Sequence, residues 1–144
     1  MGRLFPLHHA RRDNGAELRR LTPFRECTNA ELRLIDRFMT RIDLPADRVL
    51  LQEGERGQEA IFIVDGLVRV ERDGQELALL GPGDVIGEMA ILESVRRNAT
   101  VTSVTPVRVF VLDVREFIAV LDTVPGVRRW VEDVAAARRQ ANAA

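Results

Sequence analysis

Apolar positions change their period twice along this chain, and the changes divide it into three parts. In the first part, Leu32, Ile35, Phe38 and Met39 recur at helical spacing. Thr28 and Glu31 precede them three residues apart, the spacing of a capping box, in which hydroxyl and carboxylate satisfy free helix N–H groups reciprocally. A helix starting near Thr28 is therefore expected, with its apolar stripe in the core. From Arg41 onward short runs rich in Val, Ile and Leu alternate with turn signals. The runs cover 42–44, 49–52, 60–64, 67–72, 75–80, 98–103 and 107–112. Asp73-Gly74 between two of them is a tight-hairpin dipeptide. Strands this short leave no room for parallel crossovers, so the expected frame is an antiparallel sandwich or jelly roll. Only the turn at 87–92 reads as helix inside it. Helical spacing then returns. Asp113 and Glu116 form a second capping-box start, with Phe117, Ile118 and Leu121 as the apolar face. Pro125 suits the first turn of a last helix, along which Val127, Trp130, Val134, Ala137 and Ala141 form an expected seam.

Residues 1–20 carry no apolar period and read as an N-terminal tail, with a helical turn possible at 16–21. The domain is expected to occupy 21–144. His8-His9 in the tail has no partner ligands nearby, so no metal site is expected. A length of 144 residues allows one domain with a core. A net charge of -1 gives no general pull toward nucleic acid. The lone Cys27 excludes an internal disulfide and fits a reducing compartment. No apolar run is long enough to span a membrane, and the start lacks both a secretory h-region and the Ser or Thr that myristoylation wants, Pro6 standing there instead. The expected location is the cytoplasm.

Candidate chemistry concentrates at 87–101, which reads Gly-Glu-Met-Ala-Ile-Leu-Glu-Ser-Val-Arg-Arg-Asn-Ala-Thr-Val. Gly87 lets backbone approach a ligand closely. A helix start offers free N–H groups to an anion. An arginine forks onto a phosphate better than lysine does. Read from residue types alone, the stretch fits a small phosphorylated ligand. It fits equally a Glu88 helix cap beside a solvated Arg96-Arg97 turn.

The succession of one capped helix, about eight short strands and two closing helices resembles the cyclic nucleotide-binding domain. That domain is found in the catabolite activator protein, in kinase regulatory subunits and in gated channels. The likeness runs from about Leu21 to Arg139. It is sharpest at the phosphate-binding cassette, matched by Gly87-Glu88-Met89-Ala90 and by Arg97-Asn98-Ala99-Thr100-Val101, with Gly54, Gly66 and Gly83-Asp84 at the structural turns. The resemblance implies a mainly β fold, an antiparallel double-stranded β-helix or jelly roll with an N-terminal helix and two C-terminal helices. It implies that Arg97 pairs with the cyclic phosphate and that Glu88 accepts the ribose 2′-hydroxyl. Met89 and Ala90 would offer N–H groups, and Ala99 would leave room for the sugar. It selects Arg97 over Arg96 by spacing from Gly87. Ile86 stands where the family often has an aromatic residue. Asn98 stands where the family often has alanine in cyclic AMP sites and threonine in many cyclic GMP sites. The lean is to cyclic AMP, the commoner ligand in bacterial members, with cyclic GMP as the alternative.

The family moves its C-terminal helices over the filled pocket, so Arg138 or Arg139 is a possible lid residue. The signal would pass to a second subunit through the last helix or to an effector protein. No catalytic residue is expected: a metal enzyme on such a frame needs inward histidines, and both histidines lie in the tail. Direct DNA binding is not expected either, since the chain as given leaves no space for a recognition helix after the last helix. A module that keeps the fold without the ligand is the main alternative, and a truncated transcriptional regulator a lesser one.

Overall fold

The computed structural model describes residues 15–143. His8, His9 and the rest of 1–14 lie outside the described residues, as does the metal question attached to them. Helix α1 (Gly15–Arg20), a short 3-10 turn (Thr22–Phe24) and α2 (Asn29–Phe38) open the fold. The strands are β1 (Thr40–Leu44), β2 (Val49–Leu51), β3 (Glu59–Asp65), β4 (Val68–Arg72), β5 (Gln75–Leu80), β6 (Val85–Ile86), β7 (Thr100–Ser103) and β8 (Val107–Asp113). Helix α3 (Glu88–Leu92) interrupts them, and α4 (Val114–Thr123) and α5 (Pro125–Ala143) close the chain.

The strands form two four-stranded antiparallel sheets, ordered β1-β8-β3-β6 and β2-β7-β4-β5. This is the expected jelly roll with flanking helices. One core lies between the sheets: Ile42, Ile61, Ile63 and Val109 of the first meet Leu50, Leu51, Val68 and Val101 of the second. A second core lies on the far face of the first sheet, where Ala60, Phe62, Phe110 and Leu112 meet Leu18, Ile35, Phe117, Val127 and Val131 from the helices. The Phe24 and Phe62 rings sit 5.0 Å apart at 57°, a tilted aromatic pair. Burial on both faces explains why 60–63 is an unbroken apolar run. The second sheet faces solvent on one side, and β4 accordingly alternates as Val-Arg-Val-Glu-Arg. The β4–β5 turn places Asp73 at φ 53° and Gly74 at φ 78°, the left-handed pair that a two-residue hairpin demands.

Four features depart from expectation. Helix α1 begins at Gly15 and Leu18 is fully buried, so packing starts inside the segment read as tail. One isolated leucine carries no period, and only the core shows it is anchored. Strand β6 was not legible because two residues cannot display alternation. It is placed by pairing Ile61 with Ile86 and Phe62 with Val85. On α4 the buried line is Phe117, Val120 and Leu121, continued by Val124 just past its end, while Ile118 is exposed. On α5 the buried line is Val127, Val131 and Ala135. Trp130 and Val134 are only partly buried, and Ala137 and Ala141 are exposed. The expected seam is rotated because α5 packs on α4, on the 3-10 turn and on α3 of its own domain. No helix among the described residues is long and apolar enough to cross a membrane.

Candidate functional site

Strand β6 delivers the chain to Gly87 at the floor of a cavity of ≈ 230 Å³. Gly87 has φ +85°, and a Cβ there would lie 2.5 Å from Arg97 Nη1 and 2.7 Å from the Glu59 carbonyl oxygen. Only glycine satisfies both the dihedral and the space. Helix α3 follows with no side-chain cap at its start. The expected free N–H end is therefore not closed by a neighbouring side chain.

Two ionic side chains lie buried beside this glycine. Arg97 is 6% exposed. Its Nη1 donates to Gly87 O at 2.9 Å and its Nη2 to Glu59 O at 2.9 Å, with Glu59 Oε1 at 3.7 Å. Its backbone is tied as well: Arg97 N–H donates to Glu55 O at 2.7 Å, and Gly54 N–H donates to Arg97 O at 2.9 Å. These two bonds delay the start of β7 from the expected residue 98 to Thr100. They also fix which of the adjacent arginines is buried, Arg96 staying at the exposed rim. Arg96 is exposed, with Nη1 donating to Gly54 O at 3.1 Å.

Glu88 is 1% exposed. Arg138 Nη1, from α5, reaches its two carboxylate oxygens at 2.8 and 2.9 Å and donates also to Val85 O at 2.7 Å. Burial pushes the Glu88 carboxyl above the usual carboxylate range, with Arg138 the main counterweight and Arg97 a lesser one. The next residue, Arg139, pairs with Glu93 at 2.7 Å on the exposed side.

Of the residues singled out from sequence, Gly87, Glu88, Met89, Ala90, Arg97, Asn98, Ala99 and Arg138 all line this one cavity, and Arg139 does not. Asn98 is exposed at the rim, its carbonyl accepting from Arg72 Nε at 2.8 Å. Sequence reasoning missed Arg72, Leu51, Val70, Leu80, Val95 and Ala141, which also line it. Arg72 had a signal: it stands two residues after Val70, hence on the same face of β4. The lining sets Arg72, Arg96, Arg97 and Arg138 against the single carboxylate of Glu88, between apolar walls. Such a lining suits an anion that also carries an apolar part. Among the described residues no group of three or more His, Cys, Asp or Glu is placed to hold a metal ion. Cys27 is buried in the helical core, and burial raises its thiol to about 11, so it stays a protonated packing residue.

Comparison with known proteins agrees with this geometry. Residues 41–124 match the family described as the cyclic nucleotide-binding domain. The chain is 32% identical over 83 residues to the cGMP-dependent protein kinase, isozyme 2, of Drosophila melanogaster, a match to 58% of this chain and 8% of that protein. It is 34% identical over 77 residues to the CRP-like cAMP-activated global transcriptional regulator of Mycobacterium tuberculosis, covering 50% of this chain and 34% of that one. The chain thus spans a minor part of either relative. The crystal structure of the Thermus thermophilus catabolite activator protein superposes with a TM-score of 0.71 at 29% identity, covering 84% of this chain and 59% of that one. Profile, fold and cavity converge, and this chain belongs to the cyclic nucleotide-binding domain family.

Proposed function

We propose that the cavity binds a cyclic nucleotide, cyclic AMP in the first instance and cyclic GMP as the alternative, and that occupancy is passed through α5 to a second subunit or an effector protein. The observation that carries this reading is the pair of buried, opposite charges flanking Gly87 on one cavity floor. Arg97 is the phosphate partner: a permanent fork-shaped donor suits an anion leaving water. Glu88 accepts the ribose 2′-hydroxyl. The N–H groups of Met89 and Ala90 complete the phosphate cradle, and Ala99, small and buried, leaves room for the sugar. Asn98 at the rim is where the base is told apart, because its amide both donates and accepts. The ionic ties of α5 to α3 supply the differential contacts that a signalling change needs. A free cysteine, Cys27, fits a reducing, cytoplasmic setting.

One observation favours a second reading, a module that keeps the fold without the ligand. Both buried arginine-lined contacts already have internal partners: Arg97 on Gly87 and Glu59, Arg138 on Glu88. Calorimetry with cyclic AMP and cyclic GMP separates the two. Saturable one-site binding of either supports the sensor, and no heat with both at two temperatures favours the ligand-free module.

A further inference from the structure

The loop between β2 and β3 touches both sides of the cavity floor, Arg97 and α3, without lining the cavity itself. Toward Arg97 it is fastened at several points. Gly54 N–H donates to Arg97 O at 2.9 Å, and Arg97 N–H donates to Glu55 O at 2.7 Å. Arg56 bridges Arg96 in antiparallel fashion, and Glu53 N–H donates to Thr100 Oγ1 at 3.0 Å. Where the loop enters β3, the Glu59 carbonyl accepts from Arg97 Nη2 at 2.9 Å. One stretch, 53–59, therefore holds Arg97 by its backbone and by its guanidinium.

Toward α3 the same stretch makes a contact of another kind. A Cβ on Gly57 would fall on the Ala90 Cβ, far inside van der Waals contact, and 3.4 Å from Ala90 Cα and C. Gly57 has no positive φ, so its dihedral does not demand glycine. The space alone does. Ala90 is 7% exposed, and its Cβ is fixed to helix backbone, so it has no flexible end to swing aside. Its carbonyl is tied too, accepting from Val95 N–H at 3.1 Å.

We propose that residues 53–59 are the spacer of the site: bonded to Arg97 and abutting α3 at Gly57, they set the distance between the Arg97 guanidinium and α3, with Gly57 as the positioning residue. The consequence for affinity rests on the binding reading above. A methyl added at Gly57 has to be taken up by one of its two neighbours. The hydrogen bonds on the Arg97 side resist, so α3, short and without a side-chain cap, is the part that shifts. A ligand that must meet Arg97 and α3 together then finds the site no longer set for it. The Ala90 methyl is the other half of the contact, so removing it restores the space.

The test is calorimetric titration of cyclic AMP and cyclic GMP into wild type, Gly57→Ala, Ala90→Gly, the double variant and Thr28→Ala, with urea unfolding of each. Gly57→Ala should weaken binding roughly five- to a hundredfold, the range of an overpacked methyl. Ala90→Gly should bind nearly as tightly as wild type, and the double variant should return to that level, because the added methyl occupies the vacated space. Thr28→Ala opens a helix cap away from the cavity and should lose stability while keeping its affinity. That contrast separates positioning from a general loss of stability. Binding by Gly57→Ala within about twofold of wild type, no recovery in the double variant, or an equal loss in Thr28→Ala overturns the proposal. Should Gly57→Ala fail to fold, the double variant decides, since it has to fold and bind as Ala90→Gly does. A second arm needs no ligand: the Met89 and Arg97 amide resonances should shift in Gly57→Ala and return in the double variant, and unshifted resonances overturn the spacing. If wild type binds neither nucleotide, the binding reading falls alone, and this arm still decides whether Gly57 spaces α3 from Arg97.

Discussion

Helices α2 and α4 begin in one way and α3 in another. The Thr28 hydroxyl accepts from Glu31 N–H at 3.1 Å while Glu31 accepts from Thr28 N–H at 2.9 Å. Asp113 and Glu116 repeat the exchange at 2.8 and 2.9 Å. Each of these starts is closed by side chains within four residues of sequence, and each could be read from that sequence. Helix α3 starts from Gly87 with no side-chain cap. What surrounds its start comes instead from Glu59, Arg97 and Arg138, on three distant parts of the chain. Helices that only support the frame finish their own hydrogen bonding locally. The helix at the cavity leaves its start to be completed by tertiary contacts and, in our reading, by a ligand.

That contrast can be broken experimentally, and the largest effect is expected at Arg97. Arg97→Ala should weaken cyclic nucleotide binding by about 2–5 kcal/mol, because a desolvated charge loses its partner. Calorimetry measures it, and a loss of less than a few-fold would remove Arg97 from the phosphate site. Gly87→Ala comes next. It forces a left-handed dihedral on a residue with a Cβ and sets that Cβ 2.5 Å from Arg97 Nη1, so it should cost about 1–3 kcal/mol of stability in urea unfolding and weaken binding as well. Wild-type stability would mean that the floor of the cavity is not rigid. Thr28→Ala and Asp113→Ala should each cost about 1 kcal/mol of stability and leave nucleotide affinity unchanged. A drop in affinity from either cap would erase the division between supporting helices and cradle. The smallest effect belongs to Arg96→Ala, an exposed side chain on a carbonyl, expected within about 0.5 kcal/mol in both stability and affinity. Equal losses at Arg96 and Arg97 would overturn the register that the backbone bonds of Arg97 impose.

Legibility followed the same division. Seven of the strands announced themselves by β-branched runs between turn residues, and the two capping boxes by their three-residue spacing. Leu18, lone and without period, gave no sign of being core. The α5 stripe was misplaced because an alternation of three and four accommodates more than one face, and the choice between them was made by α4 and α3. At the cavity, the family cassette put Glu88 and Arg97 in the site by number. It held no hint that Arg138 would reach Glu88, or that Arg139 would pair with Glu93 on the outside. Arg72 was readable from its alternation with Val70 but had no motif to draw notice.

By itself, then, the sequence determined what depends on near neighbours: seven of the strand positions, the tight hairpin, the two closed helix starts, and the residue types gathered at the cavity floor. Tertiary structure decided which buried charge meets which. Arg97 faces inward because Glu55 and Gly54 hold its backbone, and Glu88 meets Arg138 because α5 lies over α3. The physical reason is burial. Moving the Glu88 carboxylate and the Arg97 guanidinium out of water leaves each dependent on a partner at hydrogen-bond distance. Those partners lie 10 to 50 residues away, where sequence spacing carries no geometry.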